Sequence, residues 1–271
     1  KRSRNYQNVF DRSVGYVRRR HADGRWVEQF SPFSGRGFVE GNSWQYTWFV
    51  PHDVYGLINL MGSEEFNRRL LNGFAKSEPH RFHAAVYDGS IQRVEEYYIN
   101  HGNQPNMQAA YLFNYSGRPW ETQRWVRAIL DQYYGVGPVD GYPGDEDQGQ
   151  MGAWFVMSAM GLFQVDGGCS PRPFYEIGSP LFDRVVIHLD DRYYPGKSFL
   201  LEPIDNTGDN IHIQCSTLDG RPLDQPWFYH SDLVDGGKLL LRMGSAPIKN
   251  CGCTKENAPP STFRNESGGG F

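Results

Sequence analysis

Three adjacent carboxylates lie in a glycine-flanked loop, in the stretch GYPGDEDQGQMGAW at residues 141–154. Asp145, Glu146 and Asp147 repel one another, so a helix interior does not favour the run. If the backbone is extended there, Asp145 and Asp147 point together while Glu146 points away, since alternate side chains share a face. A pair of aspartates can hold one water molecule, so both are candidates for activating water, and Glu146 is expected to be structural. The alternative for the whole run is a solvated acidic turn.

A fourth carboxylate, Glu40, opens the stretch EGNSWQYTWFVPHD at residues 40–53. Three aromatic residues follow it closely: Trp44, Tyr46 and Trp48. Glycoside hydrolysis generally needs two carboxyl groups, one that protonates the leaving oxygen and one that activates water or attacks the sugar. Aromatic surroundings raise the pKa of a carboxyl group and keep it protonated, as the acid requires. Glu40 is therefore the candidate acid beside the aspartate pair, and a helix cap is its alternative role.

Amide side chains concentrate in a third stretch, HGNQPNMQ at residues 101–108. Ca²⁺ accepts amide and carboxylate oxygens, which makes Asn103 and Gln104 candidate metal ligands, although an amide cluster alone is a weak signal. Each polar stretch precedes a predicted helix, and we expect all three to line one pocket. Further candidates for substrate binding are Trp44, Gln45, His52, Asp53 and Gln108. For the His52–Asp53 pair a structural hydrogen bond is the alternative.

The composition argues against some classes of protein. A net charge of −4 at pH 7 disfavours nucleic-acid binding, which normally shows a basic excess. No run of 18 apolar residues occurs, so we expect neither a membrane-spanning helix nor a membrane partner. Aromatic residues make up 15% of the 271 residues. Their flat apolar faces suit sugar rings, and a large aromatic core is the alternative explanation.

The apolar pattern divides the chain into a helical part and a β-rich part. Helical spacing is clearest at residues 118–135, and residues 90–100 are also predicted to form a helix. Residues 148–163 are apolar nearly all round, which predicts a deeply buried helix. Short β-like runs separated by turns begin near residue 166. We predict helices forming a toroid or bundle at 1–165, a β-rich sheet or sandwich segment at 166–248 and a loose tail at 249–271.

The three polar stretches together resemble the calcium-dependent α-mannosidases of glycoside hydrolase family 92. The matching motifs are EGNSWQYTWFVPHDVYGL, HGNQPNMQAAYLFNYSGRPWETQ and GYPGDEDQGQMGAWFVMSAMGLF. Later motifs, GSPLFDRVVIHL, YYPGKSF and DGRPL, are similar to the end of that family's catalytic region. One departure is NQPNMQ, where many members read N-E-P-S-H-H. Gln104 there replaces a carboxylate, and Met107 and Gln108 replace two histidines, which bears on metal affinity and linkage preference.

The resemblance implies an exo-acting enzyme that hydrolyses terminal α-linked mannose with inversion. By the family pattern Glu40 is the general acid, Asp147 the general base and Asp145 a residue that positions the water. Ca²⁺ would lie at the bottom of the pocket, near Asn103 and Gln104, and bind O2 and O3 of mannose. Mannose-containing glycans are the implied partners, and the implied location is secreted or periplasmic.

The family's architecture pairs an N-terminal β-sandwich with an (α/α)6 catalytic domain. The resemblance thus implies a mainly α fold with a β module, in which a partial (α/α)6 toroid precedes the C-terminal β-rich segment. The sandwich and the first toroid helices would belong to a missing N-terminal segment of the same protein. The rival hypothesis is a non-catalytic carbohydrate-binding or structural fragment of a larger assembly.

Overall fold

A computed structural model describes residues 2–87, 91–94, 96–138, 140–141, 143–250, 254 and 256–262. These residues form a mixture of helices and strands. The α-helices are α1 (Ser43–Thr47), α2 (Val54–Met61), α3 (Ser63–Ser77), α4 (Gln104–Met107), α5 (Pro119–Gln132), α6 (Gln150–Met160) and α7 (His230–Val234). The strands are β1 (Phe10–Asp11), β2 (Tyr16–Val17), β3 (Ala85–Tyr87), β4 (Ile91–Arg93), β5 (Leu162–Phe163), β6 (Phe174–Ile177), β7 (Val185–His188), β8 (Ser198–Ile204), β9 (His212–Leu218), β10 (Arg221–Pro222), β11 (Trp227–Tyr229) and β12 (Gly237–Gly244). Short 3-10 helices cover Arg2–Asn8, Glu78–His80 and Ala109–Asn114.

The chain divides into two compact units whose limits differ from the expected ones. Unit 1 contains residues 1–109 and 132–151, and unit 2 contains residues 110–131 and 152–262. The β-rich segment therefore shares its unit with most of α5 and α6. Hydrogen bonds explain the grouping of α5: Gln123 Oε1 accepts from the Ile213 backbone N–H at 3.1 Å, and Arg127 donates to Asn206 Oδ1 at 3.0 Å.

Unit 1 is built around packed aromatic side chains. Trp48 lies in edge-to-face contact with Trp44 and Phe66, at centroid distances of 5.4 and 5.2 Å. Phe66, Leu70 and Phe74 are fully buried on one face of α3, because residues four apart lie above one another on a helix. Burying each such side chain contributes about 1.5–3 kcal/mol, so this stripe fixes α3 against the tryptophans.

Unit 2 contains a five-stranded sheet in the order β10-β9-β12-β8-β7. β8 and β12 pair in parallel, and the other neighbours pair antiparallel. Alternate residues of β12 face the core, as a strand with one buried face requires, and Leu239 and Leu241 are fully buried. A smaller sheet has the order β11-β6-β5. The β-rich character predicted after residue 166 is thus present.

A buried carboxyl group, Glu176 on β6, was not singled out from the sequence. Tyr115 donates a hydrogen bond to its Oε1 at 2.5 Å, and the Val165 backbone N–H donates to its Oε2 at 3.2 Å. Burial raises the pKa of Glu176 to about 8, because a charged carboxylate is poorly solvated there. Glu176 therefore holds a proton inside unit 2 near neutral pH.

Two helix predictions need correction. Residues 91–93 of the predicted 90–100 helix form β4, which pairs antiparallel with β3, while Ser90 and Glu95 lie outside the described residues. The β-branched and aromatic residues of that stretch suit a hairpin as well as a helix. The apolar α6 is not deeply buried along its whole length, since Val156 is 56% exposed.

The predicted loose tail is partly packed. Ala258 is buried, and the Trp227 indole N–H donates to the Asn257 carbonyl at 3.0 Å. Residues 263–271 lie outside the described residues. Among the helices formed by the described residues, none combines the length and apolar character needed to cross a bilayer.

Candidate active site

The three polar stretches converge inside unit 1. A Cβ built on Gly41 would lie 3.1 Å from Asn103 Nδ2 and nearer still to Gln45 Oε1, so the first and second stretches are in contact. Gln104 Nε2 donates to the Asp145 backbone carbonyl at 3.0 Å, which joins the second stretch to the acidic loop. The two contacts join the three stretches in sequence, and a pocket lined by all three stays a prediction.

Two glycines allow the second stretch and the acidic loop to approach each other closely. A Cβ built on Gly144 would lie 2.9 Å from Gly102 Cα, and one built on Gly102 would lie 3.3 Å from Gly144 Cα. A side chain at either position would push the two loops apart, so both positions require glycine. The Tyr133 hydroxyl lies beside the same contact and donates to the Pro143 carbonyl.

Gly41 leaves room for the side-chain amides of Gln45 and Asn103. It adopts a left-handed backbone with φ of 61°, and an added Cβ would collide with Gln45 Oε1. Gln45 Oε1 and Asn103 Oδ1 are buried and accept no hydrogen bond from the described residues. A buried acceptor left without a partner costs about 1–3 kcal/mol. A substrate hydroxyl or a cation is the kind of ligand that would satisfy such an oxygen.

The amide oxygens of Gln45 and Asn103 are of the kind that Ca²⁺ binds. No group of three or more His, Cys, Asp or Glu side chains that could hold a metal occurs among the described residues. An ion here would therefore rest on amide and backbone oxygens, which hard cations accept. Asn103 has a buried side-chain oxygen that accepts no hydrogen bond from the described residues. Gln104 donates its amide nitrogen to the Asp145 carbonyl. Gln45, proposed from sequence as a substrate residue, joins this set.

Glu40 lies in an exposed turn before α1. Asn42 caps α1, since its side chain accepts from the Gln45 backbone N–H at 2.9 Å. The aromatic setting expected around Glu40 is smaller than the sequence suggests, because Trp44 and Trp48 turn into the core. Of the three aromatic residues, Tyr46 is the one that remains a neighbour of Glu40. The pKa of the Tyr46 hydroxyl is raised, first by burial and second by the charge of Glu40. The hydroxyl also forms a hydrogen bond with the backbone of Glu40.

The acidic loop has a turn where an extended backbone was expected. Asp147, Gln148 and Gly149 have φ values of 49°, 64° and 88°, three left-handed residues in succession. The alternation argument therefore does not apply, and the turn itself sets the directions of Asp145 and Asp147, which are both exposed. Glu146 is half-buried, and its Oε2 accepts a hydrogen bond from the Gly149 backbone N–H. This bond is the structural task that Glu146 performs.

Two tyrosines tie the ends of the loop to the protein. Tyr133 donates to the Pro143 carbonyl, and Tyr134 donates to the Met151 carbonyl at 3.3 Å. The Tyr134 hydroxyl also lies 2.9 Å from His101 Nε2. Burial lowers the pKa of His101 to about 3, so its ring is neutral. The Tyr134 hydroxyl donates to Met151 and accepts from His101 at the same time when His101 Nε2 carries the ring proton.

The other predicted substrate residues have structural roles. Trp44 is 1% exposed and packs against Trp48 and Tyr98, which removes it as a sugar platform. Asp53 caps α2: it accepts from the Gly56 backbone N–H at 3.0 Å and from the Tyr6 hydroxyl at 2.7 Å.

His52 and Gln108 are also bonded to backbone carbonyls. His52 Nε2 lies 2.8 Å from the Ser3 carbonyl, and Gln108 Nε2 donates to the Pro105 carbonyl at 2.9 Å while the residue is 4% exposed. The structural alternative for the His52–Asp53 pair is thus the arrangement present.

Sequence reasoning missed Gly41, His101, Tyr133 and Tyr134 as parts of this site. Tyr133 shares the buried face of α5 with Trp125 and Ile129, which suggested a core residue. The signal that could have found the tyrosines is their place directly before a glycine-rich loop with several carboxylates. Gly41 follows Glu40 immediately and carries no such signal.

Comparison with known proteins identifies similar chains. The model of the glycosyl hydrolase family 92 catalytic domain matches residues 1–245. A curated protein of Arthroderma benhamiae described as an uncharacterized secreted glycosidase is 27% identical over 96% of this chain and 34% of its own length.

Solved structures of Bacteroides thetaiotaomicron proteins are also similar. A family GH92 α-mannosidase is 31% identical with a TM-score of 0.79, over 95% of this chain and 32% of its own. A family GH92 inverting mannosidase is 36% identical with a TM-score of 0.78, over 95% of this chain and 35% of its own. The chain thus spans about a third of the length of these relatives.

Proposed function

Because the chain belongs to glycosyl hydrolase family 92, we propose that it carries the catalytic carboxylates of a calcium-dependent, inverting exo-α-mannosidase. The observation that carries this proposal is the meeting of three polar stretches in unit 1. They bring the Glu40 turn, the orphaned amide oxygens and the acidic loop together. The similar family GH92 structures are named as mannosidases, one of them as inverting, which supports the choice of sugar and of stereochemistry.

The reaction follows from the carboxylates. Glu40 protonates the glycosidic oxygen, and the bond from that oxygen to the anomeric carbon breaks. Asp147 takes a proton from a water molecule as it attacks the opposite face of the sugar, with Asp145 orienting that water. The products are free mannose of inverted anomeric configuration and the leaving-group alcohol. A Glu40–Asp147 separation of roughly 6.5–9.5 Å would suit such a mechanism.

Asn103, Gln104 and Gln45 are the residues that would hold Ca²⁺. A bound ion would supply a Lewis-acidic anchor for two neighbouring hydroxyls of the terminal mannose and favour distortion of its ring. Gln45 and Asn103 bring oxygens that the rest of the described chain leaves without a donor. Gln104 holds the acidic loop in register with them through Asp145.

The proposal extends to partners and location. The chain covers about a third of its relatives, so we propose that a further N-terminal segment of the same protein completes an (α/α)6 toroid and adds a β-sandwich. The substrates are glycans ending in α-linked mannose, and a similar family GH92 mannosidase was solved with mannoimidazole. A secreted or periplasmic location is proposed from the relative described as secreted. An intact mass larger than the 31.0 kDa of this chain would support the extra segment.

The test compares Asp147→Asn with Asp191→Asn in the protein that shows activity. Asparagine tolerates the left-handed backbone at position 147, so the loop should keep its shape. We expect turnover of an α-mannoside to fall by about 10²–10⁴-fold in the first variant and to stay unchanged in the second, which lies on an exposed turn of unit 2. Near-normal turnover with Asp147→Asn would remove Asp147 as the base.

Two further measurements test the stereochemistry and the metal. Proton NMR of the first product should show β-mannose before mutarotation, and α-mannose would exclude inversion. Calorimetric titration should show Ca²⁺ binding that Asn103→Ala abolishes, and unchanged rates in a strong chelator would exclude the metal from the reaction. Mannose binding without any turnover would instead favour the rival carbohydrate-binding fragment.

A further inference from the structure

Three hollows in the N-terminal part of unit 1 share Arg19 in their lining. A cavity of about 460 Å³ is lined by residues that include Arg19, Arg25, Trp26 and Arg36. A cavity of about 300 Å³ is lined by residues that include Arg19, Phe38, Tyr46 and Phe49, and Tyr46 is the neighbour of Glu40. A smaller hollow shares Arg19 with both and Arg36 with the first. We call the three hollows together the Arg19 groove, and its two larger cavities have the size of small-molecule sites.

The charge of the groove is unbalanced. No described carboxylate forms an ion pair with Arg19 or Arg36, although other arginines nearby are paired, such as Arg25 with Asp23 at 2.8 Å. Among the residues that line the larger cavity, Glu28 is the single carboxylate. Arg19 and Arg36, neither of them in an ion pair with a described carboxylate, therefore line the same cavity. Guanidinium groups bind phosphate and carboxylate through parallel hydrogen bonds.

The position of Arg19 is built into the fold. Its aliphatic stem lies directly over Gly37, whose φ of 92° and missing side chain give the stem its space. The Arg19 backbone carbonyl accepts from the Val27 N–H at 3.1 Å, and Arg18 donates from its guanidinium to the Val27 carbonyl. The backbone that carries Arg19 is thereby held to residue 27, and the stem of Arg19 has a defined place over Gly37.

The far end of the groove is aromatic. Phe38 stacks on Tyr46 with a centroid distance of 5.3 Å, and Phe49 meets Tyr46 edge to face at 6.5 Å. Phe49 is 43% exposed, so an apolar ring face remains open to a ligand. Such faces accept the C–H side of a sugar ring. The sugar end of the groove is therefore the end next to Glu40.

We propose that the Arg19 groove binds the leaving-group part of an acidic glycan, with its sugar ring on the aromatic end and its phosphate or carboxylate on Arg19 and Arg36. This placement rests on the proposed function, in which Glu40 protonates the oxygen that leaves with that part of the substrate. Binding of the anion itself does not depend on turnover. The groove thus makes the enzyme selective for the charge of the departing chain.

The test uses Arg19→Gln together with Arg36→Gln in the full chain. Arg12→Gln is the matched control, because Arg12 is exposed in the same unit and lines none of the three hollows. The probes are inorganic phosphate, glucuronate and a hexose phosphate, each titrated by calorimetry. Charge-assisted bonds are strong, so we expect anion affinity to fall at least about tenfold in the double variant and to stay unchanged in the control.

The outcomes separate the possible sources. Loss of phosphate binding alone identifies a phosphorylated glycan, and loss of glucuronate binding alone identifies a uronic acid. Equal losses in the control, or no anion binding by the unaltered chain, would overturn the proposal. Phe38→Ala should weaken the binding of a hexose phosphate more than that of inorganic phosphate. An equal effect on both would exclude the aromatic end as the place where the sugar ring binds. Anion binding that persists in Asp147→Asn keeps this result independent of the proposed reaction.

Discussion

Gln104 donates a hydrogen bond from its side-chain amide to the backbone carbonyl of Asp145, 3.0 Å away. A carboxylate, which the family pattern places here in many members, has no proton to donate at neutral pH. The amide at position 104 thus does something the family's usual residue does not: it holds the loop that carries the candidate base. The residue by which this chain departs from the family pattern thus forms a hydrogen bond between two loops of the candidate site.

Replacing Gln104 by alanine should loosen the acidic loop. The lost bond is partly solvated, so we expect a change of only about 0.5–1.5 kcal/mol in the free energy of unfolding. Turnover should fall, because the base loses its position. Urea denaturation and steady-state kinetics measure both, with Gln148→Ala on the exposed side of the loop as control. Equal kinetic effects of the two variants would contradict the role.

Gly41→Ala should be among the most damaging small changes in unit 1. The added Cβ meets Gln45 Oε1 and also forces a left-handed backbone, which by itself costs about 1–2 kcal/mol. Gly62→Ala separates the two causes, since Gly62 also has a positive φ, 84°, but has nothing within 4 Å of its Cβ position. We expect Gly41→Ala to weaken Ca²⁺ binding in calorimetry and Gly62→Ala to leave it unchanged. The opposite order would exclude Gln45 from the ion site.

Glu146 should tolerate an amide but not an alanine. Glu146→Gln keeps an oxygen that accepts from the Gly149 N–H, whereas Glu146→Ala leaves the three left-handed residues without that bond. We expect near-normal turnover in the first variant and a clear loss in the second. Kinetics of both variants beside Asp147→Asn provide the comparison. Activity that is lost in Glu146→Gln but kept in Asp147→Asn would make Glu146 the candidate base and Asp147 the structural residue.

Glu176 should make unit 2 less stable as the pH rises from about 4.5 to about 8. Its pKa is raised when folded, so in this window the folded chain holds a proton that the unfolded chain has released. The free energy of unfolding then falls with pH, by at most about 1.4 kcal/mol per pH unit. Urea denaturation between pH 5 and pH 8 should show this slope shrinking in Glu176→Gln and persisting in Glu64→Gln, an exposed control. An unchanged slope in Glu176→Gln would show that another group titrates.

Local patterns predicted the parts of this structure that depend on neighbours in the chain. The spacing of Trp125 and Ile129, together with Pro119, predicted α5, which begins at Pro119 as expected. Residues 91–93 were assigned to the wrong element because their pairing with residues 85–87 is a tertiary choice that propensity does not settle.

The candidate site divides in the same way. Residue types and motifs identified Glu40 and the aspartates, but the turn at Asp147 cannot be read from alternation, which assumes an extended strand. The bond between Gln104 and Asp145 joins residues 41 positions apart, so no local pattern reports it. Trp44 was misplaced because an aromatic residue near a carboxylate suits a core as well as a pocket.

The backbone contact between Gly102 and Gly144 also has a consequence for motion. With no side chain between them, the loops at 101–104 and 143–149 cannot move past each other without first separating. We therefore expect opening of one loop to displace the other, so that the candidate cation ligands and the candidate base share one conformational equilibrium. NMR relaxation dispersion on the amides of both loops should give a single exchange rate, which a ligand on either loop would slow for both.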